Sequence, residues 1–358
     1  MYDALVIGGG IAGISIAARL SKNSKVVLLE AEKDLSYHAS SRSAATFIEN
    51  YGNDVVRSLN TASKDYLTSN NGGVLTPRGM MLLGKKGQHD DFLRDTKSFG
   101  LKEISLEDAV SKFDILDSSK VENISYREDV FDLDTDLFFQ NFLKEFKENK
   151  GSVFTNSKVD KIRYVGKKWI ISTSKNEFEA KLLVNAAGAW VDEIAKIAGI
   201  KPIGFTPFKR SIARIELPDP HIVKSWPMLT GVNEEFYAKP DAGQLIVSPA
   251  DETPSEPHDA WATEEDLATG IHFLSKVAKL SIEKMSSNWA GLRTFSPDRA
   301  LVIGHDKKNT SFFWFAGQGG YGFQTSAAAS ELAIELIDGL KPGIGKKIVD
   351  ALSPARFS

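Results

Sequence analysis

The chain opens on an apolar run, Ala4-Leu5-Val6-Ile7, which breaks into Gly8-Gly9-Gly10-Ile11-Ala12-Gly13 and resumes as a helical pattern over residues 14–20. A second apolar run, Val26-Val27-Leu28-Leu29, ends at Glu30. Short apolar, β-branched runs of this kind belong to strands buried on both faces, so the segment predicts a strand–helix–strand unit with parallel strands. Apolar residues at helical spacing predict helices over 54–66 (Val55, Val56, Leu59, Ala62, Tyr66) and 136–149 (Leu137, Phe138, Phe142, Phe146), the latter stopped by Gly151. Segments 161–165, 169–173 and 177–180, parted by turns at Gly166-Lys167 and Lys175-Asn176, predict a meander; 182–185 reads as another buried strand.

Between Lys201 and about Gly304 the texture changes. Ten of the 13 prolines fall here, Pro220 among them, with strand-like runs at 211–216, 235–238 and 245–248 and a helix over 264–279. Strands at 301–303 and 312–316 and a helix over 325–338, ended by Gly339, then return to the earlier pattern. The expected class is α/β: a Rossmann-like domain interrupted by an α+β domain built on a mainly antiparallel sheet.

Composition narrows the chemistry. The 358 residues are 42% hydrophobic and 25% charged, with 44 basic against 47 acidic side chains and a net charge of −3. Such a balance advertises no nucleic-acid surface. No cysteine is present, which removes disulfides, thiolate metal sites, a cysteine nucleophile and a cysteine-linked cofactor. The six histidines (His38, His89, His221, His258, His272, His305) are scattered without metal-ligand spacing and read as structural or solvated; no metal is expected. The acidic, glycine-rich start is no signal peptide, and no apolar run is long enough to span a membrane, so a soluble, cytoplasmic protein is expected.

The glycines carry the first functional signal. In Gly8-x-Gly10-x-x-Gly13 the first glycine makes the tight turn and the second admits a pyrophosphate to the backbone; the third lets helix and strand pack closely. Ile11 and Ala12 open the helix, whose N-terminus favours a phosphate anion. Glu30, twenty residues after Gly10, is placed to accept from ribose hydroxyls and would repel a 2′-phosphate, arguing against NADP.

Further pieces carry a resemblance: residues 37–45 (with Arg42, Ser43 and Ala44), 183–190 (with Ala187, Gly188 and Trp190), 236–243, 289–293 and 318–326. Together they resemble the D-amino acid oxidase superfamily of FAD enzymes, and within it the D-arginine dehydrogenase group most closely. The resemblance implies a glutathione-reductase-type FAD-binding domain over 1–78, 134–200 and 305–358, with a substrate domain over 79–133 and 201–304. It implies noncovalent FAD contacted also by Ala31, Val159, Gly319, Tyr321, Gly322 and Gln324. His38 falls where some relatives carry a histidine-linked flavin, but it is expected only as a hydrogen-bonded loop residue. Read on their own, Arg42 and Ser43 suit phosphate or the ring edge, and Gly319-Gly320-x-Gly322 before a helix suits negative charge.

For the substrate, the resemblance makes Arg293 the carboxylate-binding residue, with Arg210 and Tyr237 as further contacts and Tyr51 as an active-site tyrosine. The Gly320 carbonyl would accept from the substrate amine. An arginine suits this task because its planar fork matches a carboxylate. Two positions depart from the D-arginine dehydrogenases: Met80 stands where they carry the glutamate that pairs with the substrate guanidinium, and Thr46 where they carry a histidine. An unpaired cation buried against methionine is costly, so neutral, apolar D-amino acids are expected rather than D-arginine, unless Glu49 supplies the counter-charge. The expected reaction is oxidative deamination by hydride transfer to flavin N5. Alternatives are a secondary amine (an imino acid, glycine, sarcosine or an opine), oxidised alone or as a subunit of a complex, and a 2-hydroxy acid. The electron acceptor, whether oxygen, a quinone or an electron-transfer protein, stays open.

Overall fold

The computed structural model describes residues 1–218 and 223–357, so Pro220 and His221 lie outside the described residues. Strand Tyr2–Ile7 lies between Glu177–Asn185 and Val26–Leu29 and is parallel to both. Ser152–Phe154 extends that sheet on one side, and Phe312–Ala316 continues it in parallel beside the end of Glu177–Asn185. The meander Val159–Val165, Lys168–Thr173 and Glu177–Asn185 adds an antiparallel flank. Side chains alternate between two layers. Ala4, Val6, Val26, Leu28 and Val184 face the core under helices Ile11–Leu20, Thr135–Glu148 and Gly322–Ile337. Leu5, Ile7, Val27, Leu29 and Leu183 face the opposite core, with Val191, Ile194 and Ala195 of helix Val191–Ile197. Burial on both faces explains why these strands read as unbroken apolar runs.

A second sheet runs in the order Thr253–Pro254, Thr206–Glu216, Gln244–Ser248, Tyr237–Asp241, Met228–Gly231, Met80–Lys85, Val121–Arg127, Lys102–Glu103. Lys284–Phe295 pairs along Thr206–Glu216. Every ladder in it is antiparallel except Met228–Gly231 against Met80–Lys85. Period-two alternation again separates its faces. Met81, Leu83, Ala213, Leu229, Ala238 and Val247 pack into one core with Leu267 and Leu274 of helix Glu264–Ser275. Met80, Arg210, Ile212, Met228, Thr230 and Tyr237 look the other way, into a cavity. A small ladder of Thr46–Phe47, Phe131–Leu133 and Leu75–Pro77 laces the two regions together.

Several boundaries differ from the sequence reading: the runs at 177–180 and 182–185 form one strand, Glu177–Asn185, and the strand expected from 211 begins at Thr206. The helix expected over 264–279 ends at Ser275, because Lys276 closes it and Ala278 bridges to Leu116. The strand expected from 235 begins at Tyr237, since Asn233 and Glu234 adopt left-handed conformations (φ 59° and 54°) in a short turn before it. Helix Gly322–Ile337 starts three residues before the expected 325. Strands Met80–Lys85, Val121–Arg127 and Lys284–Phe295 and helices His89–Phe99 and Leu106–Lys112 were not anticipated.

Candidate active site

The carboxyl ends of the first sheet's parallel strands and the cavity face of the second sheet meet across a cavity of about 460 Å³. Crevices beyond strand ends are where open α/β sheets take ligands. At one part of the wall, Gly8 leaves strand Tyr2–Ile7 at φ 108°, and a Cβ on it would lie 2.4 Å from the Ala186 carbonyl oxygen. A Cβ on Gly13 would lie 1.7 Å from the Gly8 carbonyl oxygen, so that glycine is demanded by packing, and it does not itself line the cavity. Gly10, Ile11 and Ala12 do line it. The Ile11 N–H donates to Ser40 Oγ at 3.0 Å. Glu30 is fixed at the strand end by Gly9 N–H on Oε2 (2.7 Å) and Glu32 N–H on Oε1 (2.8 Å).

Ala31, Ser43, Ala44, Val159, Ala187, Gly188, Trp190, Gly319, Gly322 and Gln324 also line the cavity. Arg42 lines it too, but its guanidinium is spent: Nη1 donates to the Ala260 and Ala290 carbonyls and Nη2 pairs with Asp259 at 2.5 Å. His38 bonds Glu32 at 3.0 Å and packs its ring 4.6 Å from that of Trp190. Tyr321 does not line the cavity; its ring packs against Phe295 and Tyr51.

Tyr51, Thr46, Met80, Arg210, Tyr237, Arg293 and Gly320 all reach the same space. Arg293 lies beside Gly320, where a Cβ would approach Arg293 Nη1 to 3.0 Å. Its Nη2 pairs with Glu252 at 2.6 Å, and Arg210 Nε donates to the Asp251 carbonyl at 2.7 Å. The Arg210 guanidinium sits 5.9 Å from the centre of the Tyr237 ring. Met80, 1% exposed, packs with Ile48 and Phe99, with Tyr51 and Met228 at the rim. Glu49 pairs with Lys64 at 2.7 Å and bonds Thr61, and it lines no part of the cavity, so it supplies no counter-charge there.

Sequence reasoning missed Glu234, Thr294 and Glu252. The Glu234 carboxylate lines the cavity and accepts from the Tyr51 hydroxyl at 3.1 Å. Burial, and after it the Glu234 charge, push the Tyr51 hydroxyl above its ordinary pKa, so it stays a proton donor. Glu234 is placed by its left-handed backbone, and Asn233 beside it is held by Asp91, Arg94 and Asp95 of helix His89–Phe99. No periodicity marks such a turn.

Seven buried side-chain polar atoms lack a hydrogen-bond partner among the described residues, and three of them belong to cavity residues: Arg293 Nε, Thr294 Oγ1 and Gln324 Nε2. Unpaired buried polar atoms cost about 1–3 kcal/mol each, so their convergence on one cavity marks a place built to be filled.

Residues 3–336 match the family described as FAD dependent oxidoreductase (DAO). The chain belongs to this family. Curated relatives include the glycine oxidase of Bacillus subtilis, 25% identical over 94% of this chain and 93% of that protein. The aerobic glycerol-3-phosphate dehydrogenase of Staphylococcus haemolyticus is 24% identical over 94% of this chain, which spans 66% of that longer protein. Among solved structures, glycine oxidase from Geobacillus kaustophilus superposes with a TM-score of 0.85 at 17% identity, covering 98% of each chain. L-α-glycerophosphate oxidase from Mycoplasma pneumoniae, solved with FAD bound, gives 0.82 at 16% identity, covering 96% of this chain and 97% of that one. These likenesses establish the fold.

FAD is the cofactor of the DAO family, and the residues present fit it. Gly8, Gly9 and Gly10 put bare backbone against the cavity, and Glu30 stands at the strand end with both oxygens held by N–H groups. Helix Gly322–Ile337 begins with no side-chain cap, leaving its first N–H groups and positive dipole end for negative charge. Gln324 Nε2 supplies an unpaired donor beside it.

Proposed function

We propose that this chain oxidises the α-carbon–nitrogen bond of a neutral, apolar D-amino acid, giving an imino acid that hydrolyses to a 2-oxo acid. The observation that carries the reading is the pair Arg210 and Arg293 on the cavity face of the second sheet, which shares that face with the apolar Met80 and Met228. FAD, when bound, supplies the hydride acceptor. The chain's own work is placement. Arg293, Arg210 and Tyr237 hold the substrate carboxylate, and the Gly320 carbonyl, beside Arg293, accepts from the amine. Glu234, bonded to the Tyr51 hydroxyl, adds a hydrogen-bond acceptor to the cavity wall. Ile48, Met80, Phe99 and Met228 exclude water from the side-chain pocket. No protein base is needed when the amine enters neutral, so the pH profile follows the substrate ammonium.

The Bacillus subtilis relative is named a glycine oxidase and matches end to end, which favours an amine donor over the glycerol phosphate named for the longer staphylococcal relatives. The D configuration and the narrower likeness to D-arginine dehydrogenases rest on the residue matches, and the latter breaks at Met80. Steady-state kinetics over a panel of D-amino acids tests the reading: neutral residues are expected to lead in kcat/KM, and D-arginine in first place would overturn it.

A further inference from the structure

The turn at 250–252 grips both arginines from behind. Ala250 is left-handed at φ 51° and donates its N–H to Ser248 Oγ at 3.1 Å. The Asp251 carbonyl accepts from Arg210 Nε at 2.7 Å, while its carboxylate is locked by Ser211 N–H (2.7 Å) and Oγ (3.0 Å). Glu252 Oε1 accepts from Arg293 Nη2 at 2.6 Å and from Arg299 Nη2 at 2.7 Å. Thr253–Pro254 then pairs with Phe208 and Lys209, which anchors the turn to the strand carrying Arg210. Arg299 is held over the Phe295 ring at 3.9 Å. Glu252 does not line the cavity; it reaches a ligand only through Arg293.

We propose that Glu252 is a positioning residue that sets the charge of the anion site, making it suited to one carboxylate and unsuited to a dianion. The inference rests on reading Arg293 and Arg210 as the carboxylate anchors. Glu252 pairs with both Arg293 and Arg299, and the Asp251 carboxylate stands on the same turn behind Arg210, so part of the positive charge offered to the ligand is already offset. Burial pushes the Glu252 carboxyl up, but the Arg299 hydrogen bond and the charges of Arg293, Arg299 and Arg210 outweigh it and hold the group below its ordinary range. It is therefore ionised at neutral pH and offsets the charge of Arg293; Arg299 shares the same carboxylate and does not itself line the cavity. A phosphate-bearing or dicarboxylate donor would call for more positive charge than this leaves; an amino acid with one carboxylate does not.

The test is calorimetric binding of formate and of sulfate to the FAD-loaded protein at constant ionic strength. Glu252→Gln keeps the shape and removes one negative charge. Coulomb energy scales with ligand charge, so formate is expected to bind about threefold tighter and sulfate about tenfold tighter. Glu252→Asp, which keeps the charge, should retain the wild-type sulfate-to-formate ratio. Arg299→Gln should move that ratio the opposite way, and it carries the test if Glu252→Gln fails to retain FAD. An unchanged ratio in these charge variants overturns the proposal and leaves Glu252 a structural brace. Formate binding that survives Arg293→Ala refutes instead the anchor reading beneath it.

Discussion

The two walls of the cavity are made of different material. The wall around Gly8 to Glu30 is mostly backbone: glycines, a helix start and one carboxylate held by neighbouring N–H groups, all within one strand–helix–strand unit. The facing wall is made of side chains brought from distant parts of the chain. Tyr51 meets Glu234 at the wall; behind it Glu252 backs Arg293, and Lys239 crosses to the Ala45 carbonyl (3.0 Å) and Asp132 (2.8 Å). The first wall depends on the absence of side chains and suits any ligand with a pyrophosphate. The second depends on which side chains are present, and so decides which small molecule is turned over. The nucleotide wall is therefore written locally, and the proposed substrate wall is written across the fold.

The sharpest way to separate the walls is Arg293→Ala. Loss of the carboxylate anchor is expected to cost about 3–5 kcal/mol in kcat/KM while FAD content stays unchanged, as read by steady-state kinetics and flavin absorbance. Gly13→Ala should do the reverse. Its Cβ would collide with the Gly8 carbonyl oxygen, so a loss of about 1–3 kcal/mol in unfolding free energy and a fall in bound FAD are expected, measured by denaturant unfolding and flavin content. Tyr51→Phe removes one hydrogen bond to Glu234 and should cost only about 1 kcal/mol in kcat/KM, with stability near wild type.

The last effect depends on pH and lies in the second sheet. Asp266 on helix Glu264–Ser275 braces the strand of Arg210 by pairing with Lys209 at 2.5 Å and accepting from Ser211 Oγ at 3.0 Å. Burial alone would raise its carboxyl, but Lys209, Thr263 and Ser211 outweigh it and bring the pKa from 3.8 down to about 2. A depressed folded-state pKa gives stability that is complete above the unfolded value and is lost as pH falls through the folded one. Asp266→Asn should therefore be less stable than wild type at neutral pH, with the gap closing between pH 3.8 and about 2 in acid-unfolding curves.

Legibility followed the same division. The strand–helix–strand unit and the strands at 182–185 and 312–316 were readable because burial on both faces leaves continuous apolar runs. Strands Met80–Lys85 and Lys284–Phe295 were not. The first is a short apolar run whose two faces serve a core and a cavity, and the second begins with five exposed residues before it enters the fold. Arg210, Tyr237 and Arg293 were reachable through the resemblance, and the cavity gathers them. Glu234 and Glu252 were not, since each is aimed by a turn with left-handed backbone that no spacing rule marks. Glu49 shows the converse: near Thr46 in sequence, it belongs instead to Lys64 and Thr61.

The central claim is that the side-chain wall selects an amino acid with one carboxylate. Anaerobic mixing of the FAD-loaded protein with neutral D-amino acids, D-arginine, glycine, L-proline, sn-glycerol 3-phosphate and L-2-hydroxyglutarate measures it directly through loss of flavin absorbance. Rapid bleaching by a neutral D-amino acid, lost in Arg293→Ala, is the predicted result. Bleaching by glycerol 3-phosphate or the hydroxy acid alone, or an unchanged rate in Arg293→Ala, would contradict it.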